Sequence, residues 1–227
     1  MQTNSRWHYL DTAEEVAQAA CRKILSAATS AISERGKFKL VLAGGGTPEK
    51  VYRLLAESKA DWANWHIYYG DERCLPVDHQ DRNSLMASQV LLDNVAIPAN
   101  QIFTMPAELG PEVAAYRYKL AVSKAGTFDM VLLGMGEDGH TASLFPGHQH
   151  PQDELVHAVY NSPKPPPERV SISARALSNT RELIFLITGA NKQEAVNLWR
   201  SGADLPVASI DPENPIDVYI DSEAYKP

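Results

Sequence analysis

The chain has 227 residues, a formal net charge of −7 and a 44% hydrophobic share, enough for a real core and too acidic for a non-specific nucleic-acid footprint. No apolar run approaches the length of a membrane span, and Met1 to Leu10 is polar, without the apolar core of a secretory leader. Cys21 and Cys74 stand in no Cys-x-x-Cys or Cys/His metal spacing and read as free thiols in a reducing compartment, so a soluble cytoplasmic protein is expected.

Helical and extended signals alternate along the chain. Asp11-Thr12, with Glu15 as capping-box partner, opens a helix whose apolar positions Val16, Ala20, Ile24, Ala27, Ala31 and Ile32 recur at helical spacing until Gly36. Phe38 to Ala43 is a short apolar strand running into Gly44-Gly45-Gly46, after which Thr47 is the expected N-cap and Pro48 the first residue of a second helix. Trp65 to Tyr69 reads as a strand ending at Gly70-Asp71-Glu72-Arg73, Asn83 to Leu92 as a helix, Ile102 to Met105 as a strand and Pro111 to Ser123 as a helix. Phe128 to Leu133 is the clearest central strand, apolar on both faces. Val156 to Tyr160, Val170 to Ile172, Leu183 to Thr188 and Val218 to Ile220 read as further strands, and Asn191 to Arg200 as a helix.

This alternation predicts a mostly parallel sheet flanked by helices, with ligands bound beyond the carboxyl ends of the strands. With no repeat and no long linker, residues 1–227 are expected to form a single domain; the Pro-rich run Asn161 to Pro167 reads as a stiff loop between strands. No exposed apolar helix stripe demands a partner, so a monomer is expected.

Three stretches that follow predicted strands carry the chemistry. Gly134-Met135-Gly136-Glu137-Asp138-Gly139-His140-Thr141-Ala142-Ser143-Leu144-Phe145-Pro146 places a carboxylate and an imidazole two residues apart in a glycine-rich turn, a spacing that lets the acid orient the base. Gly44 to Pro48 offers backbone N–H groups at a helix start to a phosphate or carboxylate, yet it is neither a Walker A loop nor Gly-x-Gly-x-x-Gly. Asp71-Glu72-Arg73 supplies a guanidinium suited to a phosphate or carbonyl oxygen; alone it reads equally as a surface ion pair. Lys164, Arg169 and Lys192 are further basic candidates, and Lys192, a cation at a helix start, points to an anionic ligand. His148 and His150, with His140 nearby, lack clear third and fourth ligands, so no metal site is expected.

The order and spacing of Leu42 to Pro48, Gly70 to Arg73 and Gly134 to Pro146 resemble the bacterial 6-phosphogluconolactonases, which belong with glucosamine-6-phosphate deaminases in one Rossmann-like, sugar-phosphate-isomerase-like α/β fold. The resemblance runs essentially the whole length and implies hydrolysis of a sugar-phosphate lactone without metal or organic cofactor, with no nucleic-acid or membrane partner. It further implies that His140 is the general base and Asp138 its orienting neighbour. Arg73 and Asp71 then contact the substrate, Gly45, Gly46 and Thr47 belong to the phosphate or sugar-binding loop, and Arg169 and Lys192 face the phosphate. No Gly-x-Ser-x-Gly elbow is present, which favours direct attack by water. Two alternatives stand beside this one. In an amino-sugar phosphate deaminase/isomerase, relatives carry Glu-Pro where this chain has Phe145-Pro146. A sugar-phosphate sensor would normally add a basic helix-turn-helix segment.

Overall fold

A computed structural model describes residues 4–225; the first three residues of the polar stretch Met1 to Leu10 lie outside the described residues. Helix α1 (Ala13–Arg35) begins where expected: the Thr12 hydroxyl accepts the Glu15 N–H at 3.2 Å, and the Glu15 carboxylate reaches back to the Asp11 N–H at 2.9 Å. It ends at Gly36, which takes φ 72° and donates its N–H to Ile32. The buried stripe of α1, including Val16, Ala20, Ile24 and Ala27, lies over the sheet and over α2 (Gly46–Ala56).

The main sheet has six strands in the order β1-β9-β8-β5-β2-β3, every pair parallel. These are β1 (Ser5–Leu10), β2 (Phe38–Leu42), β3 (Trp65–Tyr69), β5 (Phe128–Gly134), β8 (Thr180–Ile187) and β9 (Ile216–Asp221). Strand β5 lies between β8 and β2, and its residues Phe128 to Leu133 are all buried, as its unbroken apolar run requires. Its one charge, Asp129, accepts the Lys39 N–H at 2.8 Å and the Arg35 Nε–H at 3.0 Å, so the buried carboxylate is paired. From β2 the chain passes outward to β3 and later returns on the other side of β2 as β5. The strand order therefore reverses between β2 and β5, and a cleft opens beyond their carboxyl ends.

Several expectations are corrected. The strands predicted at 156–160 and 170–172 do not join the main sheet. As β6 (Val156–Val159) and β7 (Arg169–Ile172) they pair antiparallel with each other and with β4 (Asp71–Arg73) in a separate three-stranded sheet. A strand as polar as β4 is tolerated because Glu72, 1% exposed, meets a full set of donors: the N–H groups of Arg73, Asn83 and Ser84, and the Arg82 guanidinium at 3.2 Å. Ile102 to Met105 forms no strand, only a single bridge to Ile67, because Pro98 and Pro106 flank it and cannot donate to a ladder. Helix α3 (Asn83–Val90) stops short of Leu92. Thr47 is not the N-cap of α2; Gly45 is, and the Thr47 hydroxyl lies 2.6 Å from that of Thr188, tying α2 to the end of β8.

Helix α4 (Pro111–Ala125) lies against β6 and β7 through Ala114, Ala115, Tyr118 and Val122. Its outer face carries Val113, Tyr116 and Leu120, all exposed. An exposed apolar stripe thus exists, contrary to the sequence reading, because small alanines fill the inner face and leave larger residues outside; the expectation of a monomer loses its ground. Helix α5 (Ala174–Ser178) and helix α6 (Gln193–Arg200) complete the chain, α6 resting on Trp7 and Phe185 through Trp199. Buried side chains of both sheets join one hydrophobic cluster. Cys21 and Cys74 are both free, as expected. Among the described residues no helix is long and apolar enough to cross a membrane.

Candidate active site

A cavity of about 210 Å³ lies at the strand-order reversal. Its walls come from the ends of four parallel strands: Ala43 to Gly45 after β2, Gly70 and Asp71 after β3, Leu133 to Gly136 with His140 to Ala142 after β5, and Lys192 after β8. The small sheet closes it with Arg73 and Arg169, and α3 with Asn83.

The loop after β5 is held from several directions. Gly136 donates to the His140 carbonyl at 2.7 Å, the Thr141 hydroxyl to the Gly134 carbonyl at 2.8 Å, and Val207 to the Gly139 carbonyl at 3.1 Å. Within this frame Asp138 Oδ1 accepts the His140 N–H at 3.1 Å and lies 2.5 Å from His140 Nδ1. That pairing assigns the ring proton to Nδ1 and leaves Nε2 as the free acceptor. Burial alone would raise the Asp138 pKa; the adjacent His140 outweighs it, and the carboxyl sits below its ordinary value. The ring lies directly on Gly136: a Cβ there would come within 2.0 Å of His140 Nδ1 and 2.6 Å of Asp138 Oδ1. Phe145, 1% exposed, packs against the ring, the two centroids 4.7 Å apart.

Asp71 is a junction. Its carboxylate accepts the Ser143 hydroxyl at 2.6 Å and the Asn83 amide at 3.2 Å, and lies 3.9 Å from Arg169 Nη1. Ser143 itself is fully buried, its N–H donating to Ser171 Oγ at 3.2 Å. Asp71 therefore joins the β5 loop, α3 and the small sheet, and its oxygens are already engaged.

The cations differ in how they are held. Arg169, 4% exposed, gives Nε and Nη2 to the carbonyls of Pro166, Pro165 and Lys164, bracing the Pro-rich loop, and leaves Nη1 toward Asp71 and the cavity. Burial lowers its pKa, against the pull of Asp71. Arg73 donates from Nη1 to the Asp81 carbonyl, while its buried Nε has no partner among the described residues. Among the described residues Lys192 enters no ion pair; burial lowers its pKa, opposed by Glu137 and Asp138. Lys164 pairs with Glu137 at the rim.

Of the predicted site residues, Gly45, Asp71, Arg73, His140, Arg169 and Lys192 share the cavity wall, and Asp138 stands behind His140. Gly46 and Thr47 do not line the cavity; they lie in the first turn of α2. His150 is drawn away from His140: its Nε2 accepts the Phe145 N–H at 3.0 Å and its Nδ1 lies 3.0 Å from His157 Nε2. Among the described residues no three His, Cys, Asp or Glu side chains converge as a metal site. Sequence reading missed Asn83, which reads from pattern only as the first residue of a helix, and Ser143, which looks like any small loop residue.

The family model described as glucosamine-6-phosphate isomerases/6-phosphogluconolactonase matches residues 11–219. A 6-phosphogluconolactonase of Mycobacterium tuberculosis is 37% identical over 202 residues, covering 82% of each chain. A probable chloroplastic 6-phosphogluconolactonase of Oryza sativa subsp. indica is 37% identical over 207 residues, 82% of this chain and 63% of the rice protein, so the chain spans less than two thirds of that relative. The crystal structure of 6-phosphogluconolactonase from Thermotoga maritima superposes with a TM-score of 0.90 at 29% identity, covering 96% of this chain and all of the other.

Proposed function

The chain belongs to the glucosamine-6-phosphate isomerase/6-phosphogluconolactonase family, and within it we propose that this protein hydrolyses 6-phospho-D-glucono-1,5-lactone to 6-phospho-D-gluconate, the lactone-opening step of the oxidative pentose phosphate pathway. The observation that carries the reading is the His140–Asp138 pair on the cavity wall, with Nε2 unengaged and Phe145 at its back.

A δ-lactone is an activated ester. His140 Nε2 takes a proton from water as the oxygen attacks C1, and Asp138 stabilises the imidazolium that forms. The charge that develops on the carbonyl oxygen falls to backbone N–H groups at Gly44 and Gly45. As the C1–ring oxygen bond breaks, His140 returns the proton to the departing oxygen. The loop's hydroxyls support water over an acyl-enzyme: Ser143 Oγ is buried and donates to Asp71, and Thr141 Oγ1 donates to Gly134. Lys192, with Arg73 and Arg169 Nη1, meets the phosphate; this supplies binding and orientation rather than chemistry. Gly46 and Thr47, in the first turn of α2 behind the wall, contribute through the positive end of that helix.

An isomerase needs a group that opens a sugar ring near Pro146. Phe145 cannot accept or relay a proton, and its burial against His140 leaves no space for one. We assign the activity to residues 1–227 acting as one domain in the cytoplasm, on a small-molecule substrate. The test is a coupled assay in which the lactone is generated in situ and 6-phosphogluconate is followed through its NADP-dependent dehydrogenase. Acceleration well above spontaneous hydrolysis supports the reading; a rate equal to the spontaneous one overturns it.

A further inference from the structure

Asn83 is 4% exposed and lines the cavity, and its orientation is set by its neighbours. Its Nδ2 donates to the Asp71 carbonyl at 3.0 Å and to Asp71 Oδ1 at 3.2 Å. Both partners accept only, so both amide hydrogens are committed and the carboxamide cannot be turned over. Its N–H is held by Glu72 Oε1 at 2.8 Å, which fixes the residue at the start of α3. The carbonyl Oδ1 consequently points at the glycine loop, where a Cβ on Gly44 would lie 2.0 Å from it. Among the described residues no donor reaches Oδ1.

The rest of the cavity wall is rich in donors: Arg73, Arg169, Lys192 and the glycine backbone. Its one carboxylate, Asp71, is taken by Ser143, Asn83 and Arg169, and its one free imidazole nitrogen, His140 Nε2, is given to the attacking water. A sugar-derived lactone presents hydroxyl groups, and each must donate as well as accept to be desolvated without loss. Resting on the lactonase reading, we propose that Asn83 Oδ1 accepts a hydrogen bond from a ring hydroxyl of the substrate and so selects polyhydroxylated lactones over deoxy analogues. Gly44 is glycine because that approach leaves no room for a side chain. A buried acceptor left empty by an analogue lacking the hydroxyl gives far stronger discrimination than a misfit methylene in an apolar pocket.

The experiment compares kcat/KM on 6-phosphogluconolactone with that on its 2-, 3- and 4-deoxy analogues, for wild type, Asn83→Ala and Asn83→Leu. Each preference is a ratio within one protein, so a lowered fraction of folded protein cancels from it. Wild type should prefer the full substrate by on the order of 10³- to 10⁵-fold at one ring position, and both variants should lose that preference and keep the others. An unchanged preference at every position in both variants, or no preference in wild type, overturns the role of Asn83 and leaves the lactonase standing. A wild type that turns over none of the four lactones overturns both.

Discussion

The polar groups of the loop after β5 that aim the base have protein partners, whereas among the described residues the Lys192 ammonium, after the neighbouring strand β8 and close to Glu137 and Asp138, has none. The loop from Gly134 to Phe145 is bound to Val207, Ser171, Asp71 and His150, and its imidazole packs on Gly136 and against Phe145. Lys192 and Arg73 bring charge on longer side chains whose ends are free or only partly engaged. The difference follows from what each side must do. Proton transfer needs a donor and an acceptor aligned to within a fraction of an ångström. Holding a dianion needs charge nearby, which a flexible ammonium delivers over a range of positions.

The largest break in this comparison should come from Gly136→Ala. The added methyl cannot coexist with the present His140 ring, so the base must move. The expected loss is about a hundredfold in kcat/KM, with an unchanged circular dichroism spectrum; a fully active variant would mean that the seat on Gly136 does not matter.

The second tests the support beneath the loop. His150 takes the Phe145 N–H and so presents its own Nδ1–H to His157, whose buried Nδ1 has no partner among the described residues. Burial, reinforced by His150, pushes the His157 pKa down to about 4. An unfolded chain protonates its histidines near pH 6.5. From there down to about pH 4 the unfolded state binds more protons than the folded one, so acidification destabilises the protein by as much as about 3 kcal/mol. Urea unfolding across this range should show that slope, and His157→Gln should flatten it; identical slopes would show that the pair does not set acid stability.

After β8, Lys192→Ala should lower kcat/KM on the phosphorylated lactone by roughly ten- to a hundredfold, the worth of one charge-assisted contact. Unphosphorylated gluconolactone should be nearly unaffected. Equal losses on both substrates would move Lys192 from the phosphate to the reacting carbonyl.

The smallest effect belongs to Ala142, which holds φ 49° in the rigid loop. That conformation costs a residue with a Cβ about 1 kcal/mol, partly offset by the greater freedom glycine has when unfolded. Ala142→Gly should therefore stabilise by about 0.5 kcal/mol in denaturant titrations; a destabilisation would mean that the methyl packs better than its backbone strain costs.

Sequence pattern reached the parts whose signal is local. The apolar runs of β2, β3 and β5, the Thr12 cap and the Gly36 stop stand as read to within a residue, because each depends on neighbours within one turn or one strand, whereas β8 starts at Thr180, three residues before the apolar run read as a strand. What escaped depends on distant partners. Asp71 to Arg73 has the composition of a solvated turn, yet it is a strand because Glu72 meets the start of α3 and Arg82. Thr47 has the chemistry of an N-cap but spends its hydroxyl on Thr188, from the end of β8. Strands β6 and β7 look like any others; only the topology assigns them to a second sheet. The resemblance located the His140–Asp138 pair, whereas Asn83 and Ser143 could not be singled out, since their roles arise from Asp71, distant in sequence and adjacent in space.

The central claim is that His140, aimed by Asp138 across Gly136, activates water. The most direct measurement is the steady-state rate of His140→Ala on the phosphorylated lactone, with and without added imidazole. A fall in kcat/KM of about 10² to 10⁴, partly restored by imidazole, with KM little changed, is the predicted result; a variant that hydrolyses the lactone as fast as wild type would contradict the account.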